Sequence, residues 1–196
     1  RDVPVTMRPL QRPLPPMWYG VSPPDGAARA AARGYNIVGN LPAANARTVT
    51  NAYRTAWADN GRDPAALPRL GIGRFIVVAD TDAEAKALAM RAFPRWQSSF
   101  WDLWDKRGER PPVPMPDTFE GVEQMGIGIA GSPGRVAAAL GAQVAEAGVN
   151  YLLGRFAFGD LSFEESARSV SLFAEHVMPA LKAVTVARED EPANAS

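Results

Sequence analysis

Apolar and polar residues alternate along the chain in blocks that predict strands and helices in regular succession. The run "MWYGV" over residues 17–21 reads as a short strand. A helix over 23–33 follows, and Gly34 ends it, since glycine readily takes the left-handed turn past a helix C-terminus. "YNIVG" over 35–39 is a second strand. In the helix predicted over 44–60, Val49, Tyr53 and Trp57 recur every four residues and share one face. Within "GIGRFIVVAD" the stretch 75–78 is apolar without interruption, which suits a parallel strand buried on both faces. Thr81 and Glu84 have the spacing of a capping box, and the helix they open runs to Arg107. A proline-rich excursion occupies 108–124. "GSPGRVAAALGAQVAEAG" is a further helix, with Ser132 as N-cap, Pro133 at its first position, Val136, Leu140 and Val144 as its buried stripe, and Gly148 as its stop. "NYLLGRF" is the fourth strand. Ser162 and Glu165 form another capping box, and a last helix runs to about Leu181.

Strand followed by helix, four times over, is the pattern of right-handed βαβ units around a parallel sheet, so the fold class is α/β. Four such strands fit a small open sheet or half of an eight-stranded barrel. Around this unit, residues 1–16 are a proline-rich extended lead-in, 17–184 form the folded part, and 185–196 form a polar, disordered tail. At 196 residues one domain is expected, and with 46% hydrophobic residues it can bury a real core. The formal net charge is zero, which argues against a nucleic-acid partner. No apolar run reaches the roughly 18 residues that cross a bilayer. Cysteine is absent, so disulfides and thiolate chemistry are excluded, and a cytoplasmic location fits. The first residue is Arg1, with no secretory signal behind it, as expected for an excerpt or a processed form.

Candidate chemistry concentrates where predicted strands run into helices. In "GVSPPDG", Gly20 lets the backbone approach a neighbour, Ser22 is placed to cap the helix, and Pro23 fits its first position. Such a turn is either an ordinary capped loop or a phosphate site at a helix N-terminus. "AGSPG" before the next capped helix poses the same choice. Trp96, Phe100 and Trp104 recur every four residues with Trp101 beside them, as a packing face or as the lining for an apolar substrate; the stretch lacks the basic face of a membrane-surface helix. His176, the one histidine, falls far along the last helix and reads as a surface or packing residue. "RPPVPMP" reads as a stiff surface loop before it reads as a polyproline ligand. No serine–histidine–aspartate order, phosphate-binding Walker loop or paired-carboxylate motif is present, and one histidine without cysteine makes a poor metal site.

Four pieces in order resemble the C-terminal half of bacterial-luciferase-like monooxygenases, flavin- or deazaflavin-dependent enzymes built on a TIM barrel. They are "PPMWYGVSPPDGAARAAARG", "RFIVVADTDAEAKALA", "GSPGRVAAAL" leading to "AGVNYLLGRFAFGDLS", and "ARSVSLFAEHVMPAL". The resemblance runs from about Leu14 to Leu181 and implies that the predicted strands are strands five to eight of the barrel. It implies FMN or a deazaflavin as cofactor and a small organic molecule as substrate. Carried over by position, it places Gly20, Val21, Ser22 and Gly26 at the cofactor's phosphate. Pro23 and Pro24 stand where the luciferase form of this turn has N–H groups, and Gly26 where a hydroxyl residue can occur. Strands one to four, which carry much of the family's flavin pocket and its usual catalytic histidine, have no counterpart here, so the catalytic residue is unknown. The implied partner is a complementing N-terminal half or a second copy of the chain; a truncated, non-catalytic half-barrel that dimerises is the alternative.

Overall fold

The computed structural model describes residues 9–109 and 115–182. Strand β1 (Trp18–Gly20) leads into helix α1 (Pro24–Arg33), β2 (Asn36–Gly39) into α2 (Ala43–Asp59), and β3 (Leu70–Val78) into α3 (Asp82–Arg107). A short helix α4 (Phe119–Gln124) precedes β4 (Gly128–Gly131), which leads into α5 (Pro133–Ala147). Strand β5 (Tyr151–Arg155) then leads into α6 (Phe163–Leu172), which continues through a wide turn over Phe173–Val177. All pairings are parallel. Residues 9–16 of the lead-in carry no helix or strand; residues 1–8, part of the "RPPVPMP" loop and the tail over 185–196 lie outside the described residues.

The predicted strands and helices are all found; one strand is added, and the end of the predicted proline-rich excursion over 108–124 is the short helix α4. Strand β4 is four residues of glycine, alanine and isoleucine, too short and too small to register as an apolar run. Its position reorganises the sheet. Gly71 pairs with Val38 of β2 and with Tyr151 of β5, so those two strands flank β3 on opposite edges. Phe75 pairs with Gly128 of β4 and with Arg155 of β5, so β4 also lies opposite β5. Strands β2 and β4 therefore share one edge of β3: β2 takes Leu70–Ile72 and β4 takes Phe75–Val78.

This arrangement decides where each helix packs. A right-handed crossover that steps forward along a sheet puts its helix on one face, and one that steps back puts it on the other. The chain steps forward from β1 to β3 and again to β5, and the even positions of β3 meet α1, α2, α5 and α6. Leu70 packs with Tyr53 and Trp57, Ile72 with Ala46 and Ala147, and Ile76 and Val78 with Leu140 and Leu172. The step from β3 to β4 goes backward, so α3 and α4 cover the other face, where Phe75, Val77 and Ala79 pack with Ala89, Phe93 and Phe119. Every residue of β3 is buried in consequence.

Capping follows the sequence with three differences, the first being that the box expected at Thr81 is only half formed, with no return bond to the Glu84 side chain. Thr81 accepts from the Glu84 N–H, and Ser162 and Glu165 form a reciprocal box. Helix α1, however, starts one residue later than predicted, with Pro23 at the cap and Pro24 first in the helix. Ser132 is at the cap of α5, but its side chain makes no capping bond. The C-terminus of α5 is held instead by cations of α2: Arg47 donates to the Ala145 and Glu146 carbonyls and Arg54 to the Gly148 carbonyl.

Arg74 is a fully buried cation in the middle of β3. Its Nε donates to Gln143 of α5 at 2.6 Å and its Nη1 to the Gly73 carbonyl at 2.8 Å, while Nη2 has no partner. Burial, with repulsion from Arg155, pulls its pKa down to about 10. Gln143→Leu removes the one side-chain acceptor and is expected to cost about 2 kcal/mol in urea unfolding, and adding Arg74→Met should restore most of that loss. An unchanged midpoint for Gln143→Leu would show that this bond contributes nothing.

Candidate functional site

Where β2 leaves β3 and before β4 takes over, the carboxyl end of the sheet opens into a cavity of about 350 Å³. Gly20, Val21 and Ser22 line it from the end of β1, and Val38, Gly39, Asn40 and Leu41 from the end of β2. Phe100, Trp101 and Trp104 of α3 form the facing wall, with Met115 beside them. Ligands of α/β sheets are held at such carboxyl ends, where strand order reverses. The wall is fixed to the sheet by an aromatic chain. Phe75 meets Trp96 at 4.7 Å between ring centroids, Trp96 stacks on Phe100 at 5.0 Å, and Phe100 meets Trp101 at 4.7 Å. The aromatic spacing on α3 thus serves both packing and lining.

Three of the four residues proposed for the cofactor phosphate, Gly20, Val21 and Ser22, meet at this mouth. Gly20 faces open space, since a Cβ there would touch nothing within 4 Å. Gly26 lies behind the mouth: a Cβ there would come 3.1 Å from Val21 Cγ2 and 3.7 Å from the Tyr19 ring. The first turn of α1 has few donors to offer. Pro23 and Pro24 have no N–H, the Gly26 N–H already donates to the Pro23 carbonyl at 3.1 Å, and the Asp25 carboxylate accepts from Arg29 at 2.6 Å. Because the cap falls on Pro23, the Ser22 hydroxyl makes no hydrogen bond among the described residues and remains at the cavity wall.

The second candidate turn, "AGSPG", is closed by an acid. Asp82 Oδ1 accepts the Ser132 N–H at 2.7 Å, and this bond holds the Asp82 carboxyl below the usual carboxylate range. A carboxylate therefore occupies the donor that a phosphate would need. His176 lies in the wide turn after α6, exposed, with Glu175 at 3.8 Å, on the helix that covers the opposite face of the sheet.

Asn40, Leu41 and Gly39 are lining residues that the sequence reading passed over. Their signal was position: they end a predicted strand, where α/β proteins place ligands. Gly39 is there for lack of space, since a Cβ would lie 2.6 Å from the Val21 carbonyl oxygen.

The loop from β5 to α6 clamps α3 in place. Phe158 enters between Phe75 at 5.2 Å and Phe119 at 6.2 Å. Arg91 of α3 pairs with Asp160 at 3.2 Å and with Glu165 at 2.6 Å, which holds the Glu165 carboxyl below its ordinary range. Between them Gly159 has φ +62°, and a Cβ there would overlap the Ala92 carbonyl oxygen.

A parallel α/β sheet with an aromatic-walled cavity at its carboxyl ends is the class of architecture that the chain defines. Residues 1–151 match the family model for luciferase-like monooxygenases, and the chain belongs to that family. It is 34% identical over 177 residues to the protein y4wF of Sinorhizobium fredii, an alignment covering 90% of this chain and 52% of that protein. The monooxygenase RslO1 of Streptomyces bottropensis has a similar fold, with a TM-score of 0.71 at 23% identity over 89% of this chain and 50% of that one. The oxygenating constituent of 3,6-diketocamphane monooxygenase from Pseudomonas putida, solved with FMN, matches at 0.60 and 19% identity over 83% and 47%. A coenzyme F420-dependent tetrahydromethanopterin reductase from Methanopyrus kandleri matches at 0.56 and 13% identity over 85% and 51%. The chain spans about half the length of these relatives. The matched structures thus include an FMN complex and an enzyme dependent on a deazaflavin, and the sheet corresponds to half of their luciferase-like TIM barrels. Among the described residues no helix is long and apolar enough to cross a membrane.

Gly159→Ala should weaken the clamp by about 2 kcal/mol, combining a disfavoured positive φ with the overlap at Ala92. Thermal unfolding reads the loss, and acrylamide quenching of tryptophan should rise as α3 loosens. An unchanged melting temperature would show that the loop and α3 are not fitted to each other.

Proposed function

We propose that the mouth at the ends of β1 and β2 is a flavin site, for FMN or a deazaflavin, in a monooxygenase or related oxidoreductase acting on a small organic molecule. The observation that carries this reading is the meeting of the Gly20–Ser22 turn with the wall of Phe100, Trp101 and Trp104 across one cavity. Gly20 admits a ligand close to the backbone, and the Ser22 hydroxyl donates to a phosphate oxygen. Gly26 acts indirectly, by letting the turn pack against α1. Three aromatic side chains and the apolar Leu41 suit a flat ring system, and they exclude water from it. When bound, the flavin supplies the redox chemistry; the chain's residues bind and orient it.

The rest of the site comes from a second βα half, on an N-terminal segment or another chain, and the compartment is the cytoplasm. The face of β1 and β5 that such a half would cover is left open, with Trp18 and Leu153 exposed. The same observation favours a second reading, a non-catalytic half-barrel that pairs with its own copy through that face. Sedimentation separates the two, since that reading requires a dimer.

Titration with FMN and with riboflavin, followed by flavin fluorescence, tests the site. FMN is expected to bind with saturable quenching and more tightly than riboflavin, and Ser22→Ala should weaken FMN about three- to tenfold without affecting riboflavin. Equal binding of both flavins to both proteins would remove the phosphate from Ser22. No binding of FMN or of F420 would overturn the reading.

A further inference from the structure

The face of the sheet that α3 and α4 cover over β3, and that is open at Leu153 of β5, carries a cation that no described residue neutralises. Arg155, the last residue of β5, pairs in register with Phe75, so both side chains project on the same face. Its guanidinium lies over the Phe75 ring, 4.5 Å from the centroid, and its Nη2 donates to Asn40 Oδ1. Asn40 in turn lines the mouth. Gly73 makes room for this arrangement: a Cβ there would strike Asn40 Oδ1 and come 3.3 Å from Arg155 Nη2.

The site is built, and it is positive. Arg155 is half-buried and has no carboxylate within ion-pair distance among the described residues. Burial pulls its pKa below the ordinary arginine value. The next residue of β3 after Gly73 is the buried Arg74, a second cation without an acid, and the two repel. A guanidinium has five N–H donors in a fixed plane. Here Asn40 takes one, and Phe75 covers a face of the plane and leaves its edges open.

We propose that Arg155, positioned by Asn40 and Phe75, binds a flat oxyanion at the lumen side of the mouth, through the paired N–H geometry that guanidinium offers to such groups. Two ligands supply that chemistry: a carboxylate on the organic substrate, and the negatively charged pyrimidine edge of a reduced flavin. The phosphate assigned to Ser22 is a different group, because Ser22 follows β1 and Arg155 ends β5, two strands that do not pair with each other. The inference rests on the reading of the mouth as the ligand site.

The test follows the Arg155 Nε–H resonance of ¹⁵N-labelled chain. The additions are benzoate, benzamide as its uncharged counterpart, oxidised FMN, and FMN reduced by dithionite without oxygen. A saturable shift with benzoate but not benzamide is expected if the anion is the substrate's, and with reduced but not oxidised FMN if it is the flavin's. Arg155→Gln should weaken the effective anion about tenfold and oxidised FMN by much less. No shift with either anion, or equal affinity in Arg155→Gln, overturns the assignment. If oxidised FMN still binds in that case, the mouth stands as a flavin site and only the role of Arg155 falls; if it does not, both fall.

Discussion

The rest of the structure depends on how β3 satisfies its two edges. A nine-residue strand buried on both faces must pair nearly every backbone N–H and C=O, since unpaired groups away from water cost more than most single contacts return. One edge is met along Gly71–Phe75 by β5. The other is too long for β2, which stops at Ile72, and β4 takes it up from Phe75. Between them, at Gly73 and Arg74, the edge has no strand, and there the chain after Gly39 turns away and opens the cavity. On the β5 side, beyond the end of that strand, the Val78 N–H finds the Ser169 hydroxyl of α6 at 2.8 Å. The site is the local consequence of filling one edge with two short strands.

The handedness of the chain turns this pairing into a wall. Because β4 steps back, α3 is forced onto the face opposite the other long helices. At 26 residues it is about 39 Å long, and its second half overhangs the carboxyl ends of β1 and β2. The residues on that overhang are aromatic, and they confront the ends of β1 and β2. Packing and ligand lining are one continuous surface here: Phe75 in the core, Trp96 against it, then Phe100 and Trp101 at the cavity.

Much of this was legible in the sequence, and the unread parts have physical causes. β3 announced itself by an unbroken apolar run, and the helix ends by Thr81, Ser162, Gly34 and Gly148, because caps are local chemistry. β4 did not, because four small residues gain their strand conformation from pairing with β3 and not from their own pattern. Without β4, the face chosen by α3 was unreadable too. Of the site, the Gly20–Ser22 turn was legible as a strand end entering a helix. The Asn40–Arg155 pair was not, because its members are 115 residues apart and each is ordinary in its own segment.

The Pro-Pro turn after Ser22 shows how a local choice reshapes the chemistry on offer. A single proline at the first helical position costs nothing, because its N–H would have been unpaired anyway. Two in succession move the cap to Pro23 and leave the turn without a row of helix donors. What the turn gains is a serine hydroxyl with no structural duty, held rigidly at the cavity wall by prolines that cannot change φ. Positive charge on this sheet lies instead at the far side, on Arg155 beside Asn40 and on Arg74 behind it. The cavity wall thus offers a neutral hydroxyl at Ser22, and the half-buried guanidinium of Arg155 lies behind Asn40. Gly73 leaves room for that arrangement, since a Cβ there would strike Asn40 Oδ1 and come 3.3 Å from Arg155 Nη2.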